Sequence, residues 1–283
     1  MAAFFNQAAF SYNGNTVNSN ITTGEIISAL TADKTALLPT YEPNGEVTYI
    51  ISIRNSSTSA FTGLTVTDDL GAYETAVGQT VYPLDITAES VKYLINGEEQ
   101  PAPTVTSEQP LTISGIDVPA GGDAVIVYQA RANSFASPAA DGSVTNTAVI
   151  SGAALTDDMT VSATVTAVQQ PVISIVKTLS PTTVSENSPV TYTFTVYNYG
   201  NTEVGAADNA VITDTFTPAL RDITVTMNGQ TKTTGFSYDE ASGMLTTGAG
   251  IMTVPAATVS QDPATGEYTI VPGTAVMTVT GTI

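Results

Sequence analysis

Five polar side chains fall where strand alternation places apolar ones. Along a strand, residues i, i+2 and i+4 point to one face. Leu30, Ala32, Lys34, Ala36 and Leu38 share such a face, as do Ile173, Ile175, Lys177 and Leu179. Leu64, Val66, Asp68 and Leu70 lie together, Ala210, Ile212, Asp214 and Phe216 correspond to them, and Asn146 sits with Ala148 and Ile150. Complete burial lowers a lysine pKa and raises an aspartate pKa by up to roughly 3–5 units, so proton transfer between them leaves a neutral amine beside a protonated acid. A neutral amine is a nucleophile, and a protonated acid can polarise a carboxamide and shuttle its proton. The plain alternative is that these lysines snorkel or merely pair with a carboxylate, since lysine is seldom fully buried.

The elements that must position these groups are strands. Thr, Val, Ile and Tyr alternate with polar residues nearly everywhere, Asn13-Gly14, Asn96-Gly97 and Asn228-Gly229 are hairpin punctuation, and no stretch has a helical period. The chain is expected to be all-β. It also repeats itself: Lys34 precedes Tyr49 as Lys177 precedes Tyr192, Asn55 and Asn198 follow at matching distances, and a short insertion then precedes Asp214. Two tandem β-sandwich domains are expected, 25–168 and 169–283, preceded by an extension over 1–24 and joined near Val168 to Pro171. The first copy has a penultimate strand at Pro119 to Ala132 and a closing strand at Ser143 to Gly152. The second reaches its penultimate strand at Val271 to Ile283 and is expected to lack a closing strand of its own.

The stretches GEVTYIISIRN, TVTDDL and VTNTAV in the first copy, with SPVTYTFTVYN and VITDTF in the second, resemble the Ig-like conserved repeat domain of bacterial surface proteins, catalogued as a domain of unknown function. The resemblance covers most of the chain. It implies Ig-like sandwiches and a structural role in cell-wall proteins or, for relatives without a signal, in endospore surface appendages. Sandwich relatives form Lys-Asn isopeptide bonds, which implies a bond from Lys34 to Asn146 within the first domain, with Asp68 as its catalyst. Lys177 and Asp214 match Lys34 and Asp68, but their domain offers no asparagine on a closing strand.

The opening residues offer one. Asn6-Gln7-Ala8-Ala9-Phe10-Ser11 has the pattern of Asn146-Thr147-Ala148-Val149-Ile150-Ser151, and Phe4, Asn6, Ala8, Phe10 and Tyr12 share a face. The segment is read as the second domain's closing strand placed at the other end of the chain, a donor strand for a neighbour. That mode implies an intermolecular bond between Lys177 and Asn6, promoted by Asp214. Closure within the chain stays open, because the connection to Ser28 can span about 3.3–3.6 Å per residue, although an Ig-like domain with its termini at opposite ends favours closure between chains. A frayed terminus, or an ordinary first strand of the first domain, is the remaining alternative.

Composition narrows the partners. The 283 residues carry 7 Lys and Arg against 26 Asp and Glu, a net charge of −19 that repels phosphate backbones. Cys, His and Trp are absent, which removes disulfides, thiolate nucleophiles, histidine-based triads and nearly every zinc site. Asp68-Asp69 and Asp157-Asp158 lack the spacing of a calcium loop. No metal, cofactor or nucleic acid is expected, no apolar run approaches the roughly 18 residues of a membrane span, and Met1 to Phe5 does not read as a signal peptide. The leading expectation is a structural subunit of a bacterial surface or spore-appendage filament, extracellular, whose partners are identical subunits joined head to tail. An adhesin or stalk binding module is the alternative. A carboxylate-pair glycosidase is the third class, for which no paired motif or aromatic cleft is legible.

Overall fold

The computed structural model describes residues 2–26, 29–153 and 155–283. The expected all-β organisation is present: two sandwich units follow an N-terminal arm, and one three-residue 3-10 turn, Ala206–Asp208, interrupts the strands. Runs rich in Thr, Val, Ile and Tyr suit pleated, half-buried surfaces.

The arm holds β1 (Ala2–Asn6), β2 (Ala9–Tyr12), β3 (Asn15–Asn18) and β4 (Thr22–Ile26). Phe10 stands opposite Val17 and Phe4 opposite Gly24. Between them the chain reverses at Asn13-Gly14, with φ of 43° and 81°, the left-handed pair that a two-residue hairpin turn requires and that Asn and Gly tolerate. An extra residue on the return strand is absorbed beside Ser19, whose hydroxyl accepts from Ala8 N at 2.9 Å. The extension is therefore a two-stranded arm reaching Ile26, where a single strand over its first half was expected. Among the described residues its hydrogen bonds stay within the arm, and Phe4, Phe10, Tyr12 and Val17 are exposed.

In the first unit one sheet runs β13-β12-β16-β7-β5, with β11 also on β16. These are β5 (Leu30–Ala36), β7 (Glu46–Asn55), β11 (Leu84–Ile86), β12 (Lys92–Ile95), β13 (Glu98–Glu99) and β16 (Asp123–Ala132). The facing sheet runs β14-β15-β8-β17-β18-β6, with β6 (Thr40–Tyr41), β8 (Phe61–Asp68), β14 (Thr104–Glu108), β15 (Leu111–Val118), β17 (Ser143–Ser151) and β18 (Met159–Ala167). A small ribbon, β9 (Tyr73–Glu74) and β10 (Thr80–Val81), lies apart. Tyr49, Ile51, Ile53, Leu64, Val66, Ile126 and Ile150 are buried between the sheets, each aliphatic side chain stabilising the unit by about 1.5–3 kcal/mol. The last strand, β18, packs against the first, β5, and closes the sandwich.

The second unit repeats the first sheet as β19-β20-β28-β22-β23, with β19 (Ile173–Ser180), β20 (Pro189–Asn198), β22 (Arg221–Met227), β23 (Gln230–Lys232) and β28 (Gly273–Thr282). Its facing sheet has three strands, β21 (Thr213–Thr215), β24 (Phe236–Asp239) and β25 (Met244–Thr247). Where β8 lies between β15 and β17, β21 pairs among the described residues with β25 alone. Among the described residues, counterparts of β17 and β18 are missing from this unit. As a result Ile173 is 48% exposed, whereas Leu30, its counterpart in the first unit, is 3% exposed.

The two units meet beyond their 168–172 connection. A ribbon of the second unit, β26 (Thr258–Gln261) and β27 (Tyr268–Val271), reaches the first. There Tyr73 Oη donates to Gly266 O at 2.9 Å, and Tyr268 N donates to Ser134 O at 2.9 Å.

Candidate functional site

In the first unit Lys34, Asp68 and Asn146 come together between the sheets, all buried. They arrive on β5, β8 and β17, each through the alternation that also buries Leu30, Val66 and Ala148. Lys34 Nζ donates to Asp68 Oδ2 at 2.6 Å, and Leu70 N donates to Asp68 Oδ1 at 3.0 Å. Two tyrosines complete the cluster. Tyr128 of β16 donates its hydroxyl to Asp68 Oδ2 and accepts from Asn146 Nδ2 at 3.0 Å. Tyr49 of β7 stacks on Tyr128 with centroids 5.5 Å apart, and Lys34 Nζ lies 5.1 Å from the Tyr49 centroid.

Tyr49 Oη and Asn146 Oδ1 are buried without a partner that meets hydrogen-bond geometry, although the amide lies close enough to act on that hydroxyl. A buried polar atom left unpaired costs about 1–3 kcal/mol, so the Asn146 carbonyl and the Tyr49 hydroxyl are the two unsatisfied points of the cluster. Burial pushes the Lys34 amine below its ordinary value, against the opposing pull of the Asp68 carboxylate. Burial first, and the Asp68 charge second, push the Tyr128 hydroxyl well up. The site thus combines an amine shifted toward neutrality, an acid in contact with it, and a carboxamide linked to that acid through a hydroxyl.

Asp69, one residue on, faces the other way and fixes the closing strand. Its Oδ1 accepts from Thr147 N and from Gly71 N, each at 2.8 Å, and its own N–H donates to Thr147 O at 2.9 Å. These bonds hold β17 in register at Thr147, next to Asn146, where a slip of one residue would turn the amide outward.

The second unit has half of this site. Lys177 Nζ contacts Asp214 Oδ2, and the rings of Tyr192, Phe194 and Phe216 surround the amine at 4.7, 5.3 and 5.2 Å from their centroids. The sequence places Lys177 in a core, yet its side chain is 38% exposed and that of Asp214 18%, against 0% for both Lys34 and Asp68. The physical reason is the uncovered edge. Among the described residues no asparagine hydrogen-bonds Lys177, and Asn6 lies on the exposed arm opposite Thr22. Of the other donor-strand residues, Phe4 belongs to β1 and Phe10 and Tyr12 to β2, with Ala8 at the break between them. The Phe10 and Tyr12 rings stack at 5.8 Å on one face.

Tyr49 and Tyr128 were not singled out by sequence. Tyr49 carried a signal, since Tyr192 repeats it. Tyr128 did not repeat: Tyr49 stands opposite Tyr128, and Tyr192 stands opposite Val279. Among the described residues, no three Asp, Glu, His or Cys side chains gather as a metal site, and no helix is long and apolar enough to cross a membrane.

No family model matches the sequence, and no curated protein matches it. Among solved structures the chain is similar to the major pilin subunit BcpA of Bacillus cereus, at 13% identity and a TM-score of 0.35 over 96% of this chain and 73% of that one. It is similar to the pilus backbone RrgB of Streptococcus pneumoniae, at 12% identity and a TM-score of 0.35 over 87% and 55%. It is also similar to a family 123 glycoside hydrolase of Clostridium perfringens, at 13% identity and a TM-score of 0.32 over 50% and 27%. The chain spans about a quarter of that hydrolase and little more than half of the RrgB chain. Likenesses this distant do not say what the chain does.

Proposed function

We propose that the chain is a structural subunit of a bacterial surface or spore-appendage filament, an Ig-like repeat protein that polymerises head to tail by N-terminal strand donation and is fixed by Lys-Asn isopeptide bonds. One observation carries the reading. Lys177 and Asp214 lie half open at an unfilled edge, while Asn6, in the sequence context of Asn146, lies exposed on an arm that leaves that edge unfilled. A strand added at that edge gains main-chain hydrogen bonds and side-chain pockets. Donor and acceptor are different surfaces, so the contact propagates from subunit to subunit.

In the first unit the neutral Lys34 amine adds to Asn146 Cγ, forming the Nζ–Cγ bond while the Asp68 carboxyl takes up the proton that the amine loses. The proton lost by the amine passes to Nδ2, the Cγ–Nδ2 bond breaks, and one ammonia leaves with Asp68 regenerated. Each bond forms once, so this is self-modification and not turnover. Between subunits Lys177, Asp214 and the neighbour's Asn6 take the same parts, after docking has removed water from the amine.

The test is detergent treatment at boiling temperature. Wild-type filaments are expected to survive as a covalent ladder, and Asn6→Ala filaments to fall to monomers. Equal dissociation of both, or a Lys177 cross-link to an asparagine of its own chain, overturns the reading.

A further inference from the structure

We infer that the arm enters its neighbour as a two-stranded unit, with β1–β2 taking the place that β17 holds in the first unit and β3–β4 the place of β18. The inference deepens the filament reading and rests on it. A single strand added beside β21 would complete the facing sheet but leave β19 bare. In the first unit it is β18, the second strand of the closing hairpin, that packs on β5. The counterpart face on β19 carries Ile173 and Ile175, both exposed, and only a return strand reaches it.

The arm has the dimensions of the piece that is missing. Asn146 stands opposite Ala163, and β17 ends at Ser151; Asn6 stands opposite Thr22, and β2 ends at Tyr12. Five residues follow Asn146 to the end of its strand and six follow Asn6, so the turns fall at nearly the same distance from the amide. Phe10 and Val17 stand opposite each other, which puts both on the face that would meet the acceptor, and both are exposed. The connections also agree. β18 leads into β19 through 168–172, and β4 leads into β5 through 27–29. Each hairpin is thus followed, after a few residues, by the first strand of the next sandwich. Docked this way, the strand connectivity between subunits repeats that between the two units of one chain, and the filament becomes an unbroken series of sandwiches.

The chain has no cysteine, so single thiols report burial cleanly. Full-length Ile175→Cys and Val17→Cys proteins are labelled with a maleimide as monomers and as assembled filaments, and Lys177–Asn6 cross-linked peptides are sought in the same samples. Two-stranded docking is expected to slow labelling at both sites by roughly tenfold or more on assembly. Filaments that contain the cross-linked peptide but label Ile175→Cys and Val17→Cys as fast as monomers overturn the two-stranded arrangement and leave strand donation standing. Absence of that peptide from wild-type filaments overturns both.

Discussion

The Tyr128 hydroxyl joins Asn146 to its acid: it accepts from Asn146 Nδ2 at 3.0 Å and donates to Asp68. In the proposed reaction, the nitrogen that would leave as ammonia is therefore one hydroxyl away from the Asp68 carboxyl. Tyr128→Phe keeps the packing against Tyr49 and removes the relay. Its first domain is expected to lose ammonia about 100-fold more slowly than wild type, the lower end for general acid–base assistance, as read by intact mass over time after refolding. Val279 occupies the matching place in the second unit, so the intermolecular bond is expected to form more slowly than the intramolecular one. An unaltered rate in Tyr128→Phe removes the relay from the mechanism.

Removing either reacting group is expected to block the first-domain bond. Lys34→Met and Asn146→Ala should each keep the ammonia that wild type loses from this domain. In the Asn146→Ala background, adding Lys34→Met removes the hydrogen bond that Lys34 donates to the buried Asp68, which is expected to cost about 1–3 kcal/mol in denaturant unfolding. A wild-type folded monomer with the unmodified mass refutes the bond.

The unreacted domain should respond to alkali with a definite sign. Burial holds the Lys34 amine below its ordinary 10.5, so between its folded value and 10.5 the unfolded chain binds more protons than the folded one. The stability of Asn146→Ala therefore rises with pH through that interval. Tyr49 and Tyr128 act oppositely, because burial raises both hydroxyls above 10.0 and their contribution is lost as pH climbs past that value. The Lys34 part is isolated as the difference between Asn146→Ala and Asn146→Ala/Lys34→Met at each pH. A difference that does not change between neutral and alkaline pH contradicts the inward pull of burial on the amine.

Polymerisation should depend on the arm's turn. Gly14 sits at φ 81°, which a β-branched residue adopts at a cost of about 1–3 kcal/mol. Gly14→Val is expected to slow filament growth, followed by light scattering, while the first domain still loses its ammonia. Normal growth would mean that the reversal at Asn13-Gly14 is dispensable.

Much of the site could be read from alternation. Lys34, Asp68 and Asn146 each follow a two-residue period among apolar neighbours, and that period places side chains without knowledge of partners. Three of the four Asn-Gly pairs, Asn13-Gly14, Asn96-Gly97 and Asn228-Gly229, form two-residue turns, and Asn44-Gly45 does not. What alternation does not contain is pairing between distant strands. Tyr128 reads as an inward residue, but only register sets it opposite Tyr49 and beside Asn146. The period likewise assigns Lys177 a face without saying whether anything covers it. Residues 15–26 mix Asn, Thr, Gly and Glu with few apolar positions, so the return strand of the arm stays hidden until Asn13-Gly14 is seen to pair the two halves.

The ribbon that links Gly266 and Tyr268 to Tyr73 and Ser134 grows out of the long connection between β25 and β28. The matching connection in the first unit, between β15 and β16, is only residues 119–122 and has nothing to extend. If sandwiches follow one another along a fibre, a strut therefore crosses every junction inside a chain and none of the junctions between chains. Flexure of such a fibre is expected to concentrate at every second junction, where no strut crosses.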